Sequence, residues 1–282
     1  MNREYLGIDL GGTSFNIGRV HSGMVMDEVN RNINGLAKAS EILSTLTSAI
    51  DEIITSEVKG IGVGVPGIVN TENGIIYDIQ NIPAWKEIQL QRILEDKYEI
   101  PVVLNNDANC FALAEKKFGK GKDYENFAGL AIGTGLGMGV ILNDELYNGV
   151  MCGAGEIGML PYKDGIVEEY AASFFFSREY NQTAKAMHEA ARNGELIAIE
   201  AFDEFGIHLG EAIKMVLFMY APQAIILGGS ISRAYKYFES SMKQTIADFA
   251  YPRQISNLAI EVSTHPNLPV LGASALCMAN RI

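Results

Sequence analysis

One short pattern occurs twice in this chain, and it limits the fold more than any other feature. The first copy is Gly7-Ile8-Asp9-Leu10-Gly11-Gly12-Thr13, followed by Ser14-Phe15-Asn16-Ile17-Gly18-Arg19-Val20. An apolar run reads as a strand, a Gly-Gly turn follows, and a second strand leaves. Adjacent glycines let the backbone approach a ligand with no Cβ in the way. Successive N–H groups in such a turn form a concave anion site. Asp9 stands at the strand end beside it, and a carboxylate next to a phosphate is repulsive unless a cation lies between them. Taken alone, the stretch fits a metal-nucleotide turn or a plain hairpin turn with a solvated Asp, since short Gly-rich matches have a real false-positive rate.

The second copy is Phe127 to Ile132, the turn Gly133-Thr134-Gly135, and the strand Leu136 to Leu142. Without gaps, Gly11 falls on Gly133, an offset of 122 positions, and Ser22 falls on Asp144 in the next turn. Each copy continues through a helical region to a Gly-terminated apolar strand: Ile61 to Val65 in the first, and Ala224-Ile225-Ile226-Leu227-Gly228 in the second. Two duplicated α/β halves, each with a glycine turn, would close around a cleft and hold a phosphate chain between them. The alternative is two unrelated β-hairpins.

The rest of the chain alternates strands and helices. Helical spacing runs from residue 37 to Ile54, with Ile42, Leu46 and Ile50 on one face. A hairpin is expected across Asn73-Gly74, a helix over Gln89 to Tyr98, and a strand over Pro101 to Leu104 that runs into Asn105-Asn106-Asp107-Ala108-Asn109. A helix follows to Phe118, then a linker over 119–123. After the second copy, Gly149 to Ser173 reads as irregular. Helices are expected over Ala184 to Arg192, Ile197 to Tyr220, Ser232 to Phe249 and Val270 to Ala279, with a strand over Ala259 to Ser263. The expected domains are 1–118, with a C-terminal helix at 269–282 packing back on it, and 119–268.

A formal charge of −12 argues against broad contact with nucleic acid and against an anionic membrane surface. It leaves room for an anionic ligand in a local nest of N–H groups. The three cysteines, Cys110, Cys152 and Cys277, are far apart and form no C-x-x-C pair, so no disulfide framework or cysteine zinc site is indicated. A reduced, cytoplasmic setting fits. No signal peptide is legible at the start, and the apolar stretch from Ala212 to Gly228 is broken by Lys214 and Pro222.

Five motifs occur in order: Asp9-Leu10-Gly11-Gly12-Thr13, Gly64-Val65-Pro66-Gly67, Asn106-Asp107-Ala108-Asn109, Gly133-Thr134-Gly135-Leu136-Gly137 and Ile226-Leu227-Gly228-Gly229-Ser230. With these the whole chain resembles the ROK family (repressor, open reading frame, kinase) of sugar kinases in the actin-like ATPase superfamily. The resemblance implies an α/β fold of two duplicated actin-like (ribonuclease H-like) domains with a cleft between them. It implies an ATP-dependent kinase acting on the 6-hydroxyl of a hexose, glucokinase-like, with N-acetylmannosamine or N-acetylglucosamine as alternative substrates. Asp9 would organise Mg²⁺; Gly11, Gly12, Thr13, Thr134 and Gly135 would hold phosphates. Gly228, Gly229 and Ser230 would line the adenosine. Asp107 matches the general base, which accepts the sugar hydroxyl's proton; without the family, Asn106-Asp107 reads as a helix N-cap. The sugar residues implied are Gly67, Asn81, Asn106, Asp107, Glu156 and Glu168, with Glu169 adjacent to Glu168 as an alternative register.

The chain departs from the family at one place. Most members have a His after the Glu-x-Gly and then a cysteine cluster that binds zinc. Here Met159 stands at the His position, and no Cys or His occurs from Gly153 to Ser173. No structural zinc is therefore expected, and packing of Met159, Leu160 and Tyr162 is expected to hold the loop instead. The resemblance also implies a homodimer. Phe174-Phe175-Phe176 and Met215 to Tyr220 suit either an interface or a core. The rival readings are a non-catalytic sugar-binding protein and a sugar-responsive regulator, because the family includes DNA-binding members.

Overall fold

Two α/β units make up the computed structural model, which describes residues 3–35, 38–77, 79, 82, 85–265 and 267–282. The first unit comprises Met1–Lys122, Leu146–Ala154 and His265–Ile282; the second comprises Asp123–Glu145 and Gly155–Thr264. The segment 146–154 thus groups with the first unit, whereas the sequence reading set it within 119–268.

The first unit opens with the antiparallel meander β1 (Glu4–Leu10), β2 (Ser14–His21) and β3 (Met24–Asn32). Next come α1 (Ala39–Ile53) and β4 (Val58–Val65). A small sheet of β5 (Ile68–Asn70), β6 (Ile75–Tyr77) and β7 (Glu87–Ile88) follows. Then come α2 (Leu90–Tyr98), β8 (Val102–Asn106) and α3 (Asp107–Phe118). The main sheet has the order β3-β2-β1-β4-β8, with β1, β4 and β8 parallel. In the small sheet the Asn73-Gly74 turn is a four-residue loop in which the Asn70 side chain accepts from the N–H groups of Glu72 and Asn73, at 3.1 and 3.2 Å.

The second unit repeats the meander with β9 (Phe127–Ile132), β10 (Leu136–Leu142) and β11 (Glu145–Leu146). An insertion follows: β12 (Pro161–Tyr162), β13 (Gly165–Ile166), α4 (Val167–Ala171), α5 (Ser173–Tyr180) and α6 (Ala184–Arg192). The long α7 (Leu196–Tyr220), β14 (Ala224–Gly228), α8 (Tyr235–Ala247), α9 (Pro252–Ile255) and β15 (Ala259–Val262) complete it. Its sheet order is β11-β10-β9-β14-β15, the same permutation as the first, with β9, β14 and β15 parallel. The duplication is a duplication of topology. The offset of 122 holds through the glycine turns, but the following turns occupy 22–23 and 143–144, one position out of the expected register, because β2 has eight residues and β10 seven.

The last helix, α10 (Leu268–Ala279), lies against the first unit's sheet and α3. Nine of its residues are buried, so it carries no polar stripe, as a core helix must. Glycine makes the fit. Gly7 and Gly62 are register neighbours on β1 and β4. A Cβ on either would lie 1.9 Å from the Val270 carbonyl oxygen or 1.8 Å from that of Ala273. On α10 itself, a Cβ at Gly272 would lie 2.2 Å from the Cys110 oxygen.

The second unit's core is aromatic. Phe176 stands 4.8 Å from Phe202 and 5.4 Å from Phe205, and Phe205 stands 5.4 Å from Phe238, spacings at which ring quadrupoles attract. Phe175 and Phe176 are therefore core residues, while Phe174, Phe218 and Met219 are exposed. The segment read as irregular contains α4, and α5 begins at its end. Each is one or two turns long, and the extended backbone of Ala172 separates them, so neither shows a helical period. Among the described residues, no helix is long and apolar enough to cross a membrane.

Candidate active site

In the first unit, Asp9 and Asp107 come together at the carboxyl ends of β1 and β8, the two strands that flank β4. Asp9 is the penultimate residue of β1, paired across to Gly64 of β4. Asp107 is the first residue of α3, directly after β8. A Cβ on Gly64 would sit 3.7 Å from the Asp107 Cα, so the glycine lets the start of α3 approach. The Asp9 carboxyl is pushed up to about 6, by burial first and by the charge on Asp107 second. A pair of carboxylates so placed favours a cation between them.

The turn that presents Asp107 is built from amides. The Asn106 side chain caps α3 by accepting from the Ala108 N–H at 2.9 Å, and its Nδ2 donates to the Gly67 carbonyl at 3.2 Å. Asn106 is thus the N-cap, and Asp107, one residue on, is exposed. Asn105 is buried at 4% exposure. Its Oδ1 accepts from the Asn106 N–H at 2.8 Å and from Asn109 Nδ2 at 2.9 Å, while its Nδ2 donates to Asn148 at 3.0 Å. The sequence reading missed Asn105 and Asn148 as supports; the signal was a buried-strand position occupied by Asn rather than by an apolar residue. Asn81 lies outside the described residues.

The first glycine turn is fastened by its own meander. Gly11 donates to the Ser14 carbonyl at 2.9 Å, and the Thr13 carbonyl accepts from Ile33 at 2.8 Å and Asn34 at 3.1 Å. Among the described residues, the N–H groups of Gly12 and Thr13 find no protein partner.

In the second unit, Thr134, Gly135, Gly229 and Ser230 gather at one end of the sheet. Gly229 has φ +82°, and a Cβ there would lie 2.2 Å from the Ile132 carbonyl, so only glycine fits. Ser230 follows it, its Oγ 3.9 Å from where a Gly133 Cβ would be. Beside Ser230 opens a pocket of about 490 Å³ lined by Lys185, His188, Arg192, Phe202 and Arg233 among others. Burial and three neighbouring cations, led by Arg192, lower the pKa of His188.

Glu156 and Glu168 are also neighbours in this unit. Burial and then the charge on Glu168 raise the Glu156 carboxyl, although much of the residue's surface faces solvent. Glu168, not Glu169, faces the glycine turn, and its Oε2 accepts from the Leu136 N–H at 2.9 Å. Glu169 turns away toward Arg178, 3.7 Å distant.

Met159 does not hold this loop. It is 56% exposed, contrary to the expectation that it packs, because its 3-10 turn directs it outward. The β12–β13 hairpin is tied down by Tyr162, whose hydroxyl lies 3.0 Å from Nδ1 of buried His208 on α7. Tyr170 stands edge-on to both rings, at 5.2 and 5.1 Å, and the Arg178 guanidinium lies 4.0 Å from the Tyr170 ring centre. Burial pushes the Tyr162 phenol up to about 12, and burial lowers the pKa of His208, so both groups of this hydrogen bond are held uncharged. Among the described residues, no group of three or more His, Cys, Asp or Glu is placed to hold a metal ion.

The family model described as the ROK family matches residues 5–280. The chain belongs to the ROK family. One ROK relative is the glucokinase of Thermotoga maritima, 27% identical over 309 aligned positions, with 97% of this chain and 96% of that protein covered. Another is the xylose repressor of Bacillus subtilis, 30% identical, with 77% and 60% covered. Among solved structures, a ROK family glucokinase from Streptomyces griseus in complex with glucose and AMPPNP has a TM-score of 0.83. Its identity is 23%, with 97% of this chain and 98% of that one covered. The fold is therefore that of ROK proteins, two actin-like α/β domains with a repeated sheet.

Proposed function

We propose that this protein is a sugar kinase that transfers the terminal phosphoryl group of ATP to the 6-hydroxyl of a hexose, with glucose the first candidate. N-acetylmannosamine and N-acetylglucosamine are the alternatives. The observation that carries the reading is the placement of Asp107 at the start of α3, close enough to Asp9 for its charge to raise the Asp9 carboxyl. Asp107 would accept the proton of the attacking hydroxyl, worth about 10²- to 10⁴-fold in such reactions. Asn106, Gly67, Glu156 and Glu168 would orient the sugar through its other hydroxyls, with Asn81. Gly12, Thr13, Thr134 and Gly135 would offer backbone N–H groups to the phosphates, and Gly228, Gly229 and Ser230 would border the nucleoside.

The residues present suit Mg²⁺ as the partner of ATP. Asp9 and Asp107 form an acidic pair, and oxygen donors are what a hard cation takes. Bound there, Mg²⁺ would supply positive charge against the phosphates; Asp9 would hold it. A cytoplasmic, homodimeric enzyme is part of this reading.

A coupled assay of ADP release over glucose, mannose, fructose, allose, N-acetylglucosamine and N-acetylmannosamine tests it. Turnover with one of them is expected. The absence of turnover with any, alongside measurable sugar binding, would favour the second reading of a sugar-responsive regulator, which the kinship with the xylose repressor keeps in play.

A further inference from the structure

We propose that Glu168 is a positioning residue for the second glycine turn, and so for the phosphate donor, in addition to any contact with sugar. The inference rests on the kinase reading for the identity of the ligand and on geometry for the role. The turn Gly133-Thr134-Gly135 has one internal bond, from the Gly133 N–H to the Gly135 carbonyl at 2.9 Å. Its other ties come from the α4–α5 region. Glu168 Oε2 accepts from the Leu136 N–H at 2.9 Å, the Ser173 N–H donates to the Gly133 carbonyl at 3.0 Å, and the Ser173 hydroxyl donates to the Thr134 carbonyl at 3.2 Å.

The carboxylate sits against the backbone itself. A Cβ on Gly135 would meet Glu168 Oε2 at 2.4 Å, and a Cβ on Gly158 would lie 2.6 Å from the Leu136 carbonyl and 3.4 Å from Oε2. Glycine at both positions is what lets Glu168 reach the turn. A charge-assisted bond of this kind is about twice as strong as a neutral one. It fixes the first residue after the turn, and with it the direction of the Thr134 and Gly135 N–H groups. Glu168 leaves Oε1 for a second partner. A sugar hydroxyl bound there would immobilise the same carboxylate, so acceptor and donor affinity would be coupled, and such coupling is reciprocal.

The test is calorimetric titration of Mg²⁺ with a non-hydrolysable ATP analogue, without sugar, into the wild-type protein and Glu168→Gln, Glu168→Asp and Glu168→Ala. Thermal melts check each fold, and amide exchange is followed over residues 133–137. The Gln amide oxygen can still accept from Leu136; Asp keeps the charge but is one methylene short. Ala and Asp are expected to weaken nucleotide binding roughly tenfold and speed exchange over 133–137, whereas Gln, which keeps the bond without its charge, is expected to weaken it by only about threefold. If Ala fails to fold, the Gln–Asp pair carries the comparison. Unchanged nucleotide affinity and exchange in Asp would overturn the proposal. So would a ranking by charge, with Gln and Ala both tighter than wild type. If the wild type binds no nucleotide, the kinase reading fails, and the exchange data alone decide whether Glu168 braces the turn.

Discussion

The two glycine turns occupy matched points in two sheets of the same strand order, yet they are fastened differently. The first is held by its own meander, because β3 is nine residues long and runs on to Ile33 and Asn34, which bond Thr13. The second has no such neighbour. Its third strand, β11, is two residues long and ends far from the turn. The insertion after β11 supplies the missing support through Glu168 and Ser173. The strand ends differ as well. β8 runs straight into Asp107 and α3, whereas β15 is followed by Ser263, and the next helix, α10, belongs to the first unit. Duplication fixed where the turns lie, and each unit then solved the problem of holding its turn with the chain it had to hand.

The largest test of this asymmetry is chemical. Asp107→Asn should lower kcat by about 10²- to 10⁴-fold with little change in sugar affinity, whereas Ser263→Ala, at the matched strand end, should leave kcat within about threefold. Steady-state kinetics decide it; a wild-type kcat in Asp107→Asn would remove the base assignment. The next effect is on stability. Gly62→Val puts side-chain carbon into the Ala273 carbonyl, where even a Cβ would be at 1.8 Å. A loss of about 3 kcal/mol or more in denaturant unfolding is expected for such overpacking against backbone.

The turns themselves give a smaller and more direct comparison. Gly135→Ala must displace Glu168, since the new Cβ would be 2.4 Å from Oε2. Gly11→Ala meets only the Ser14 carbonyl, at 3.1 Å. Nucleotide affinity should fall roughly tenfold in the first and much less in the second. Equal losses would mean that the two turns are held alike.

Tyr162→Phe should cost about 1 kcal/mol, the typical worth of one buried hydrogen bond, by untying the hairpin that precedes Glu168. The smallest effect is a pH dependence. Burial, and then Lys163, lower the pKa of His208 below 6.5. Below pH 6.5 the unfolded state therefore binds more protons than the folded one, and stability falls as pH drops from 6.5 to the folded-state pKa. Above 6.5 this group contributes no slope. The stability gap between wild type and His208→Gln, measured by urea unfolding, should narrow from pH 7.5 to pH 5; a gap that widens would reverse the sign.

Much of this was legible in the chain. Both glycine turns, the Gly-terminated strands at Val65 and Gly228, and the Asn-Asp start of α3 are local patterns. The backbone within ten residues dictates them, and hydrophobic periodicity reports the helices between. The choice of Glu168 over Glu169, the exposure of Met159 and the existence of α4 and α5 were not legible, because short elements show no period and the deciding contacts are distant in sequence.

By itself, then, the sequence determined a duplicated α/β chain with two anion-suited turns and an aspartate at a helix start. The tertiary structure decided how the second turn is held, since Leu136 and Glu168 are separated by 32 positions and Tyr162 and His208 by 46. It also decided how α10, expected from the sequence to return to the first unit, fits there, because the fit depends on Gly7 and Gly62 lying side by side only once β1 and β4 have paired. Hydrogen bonds and close approaches of that span follow from packing, and no local preference of the residues involved anticipates them.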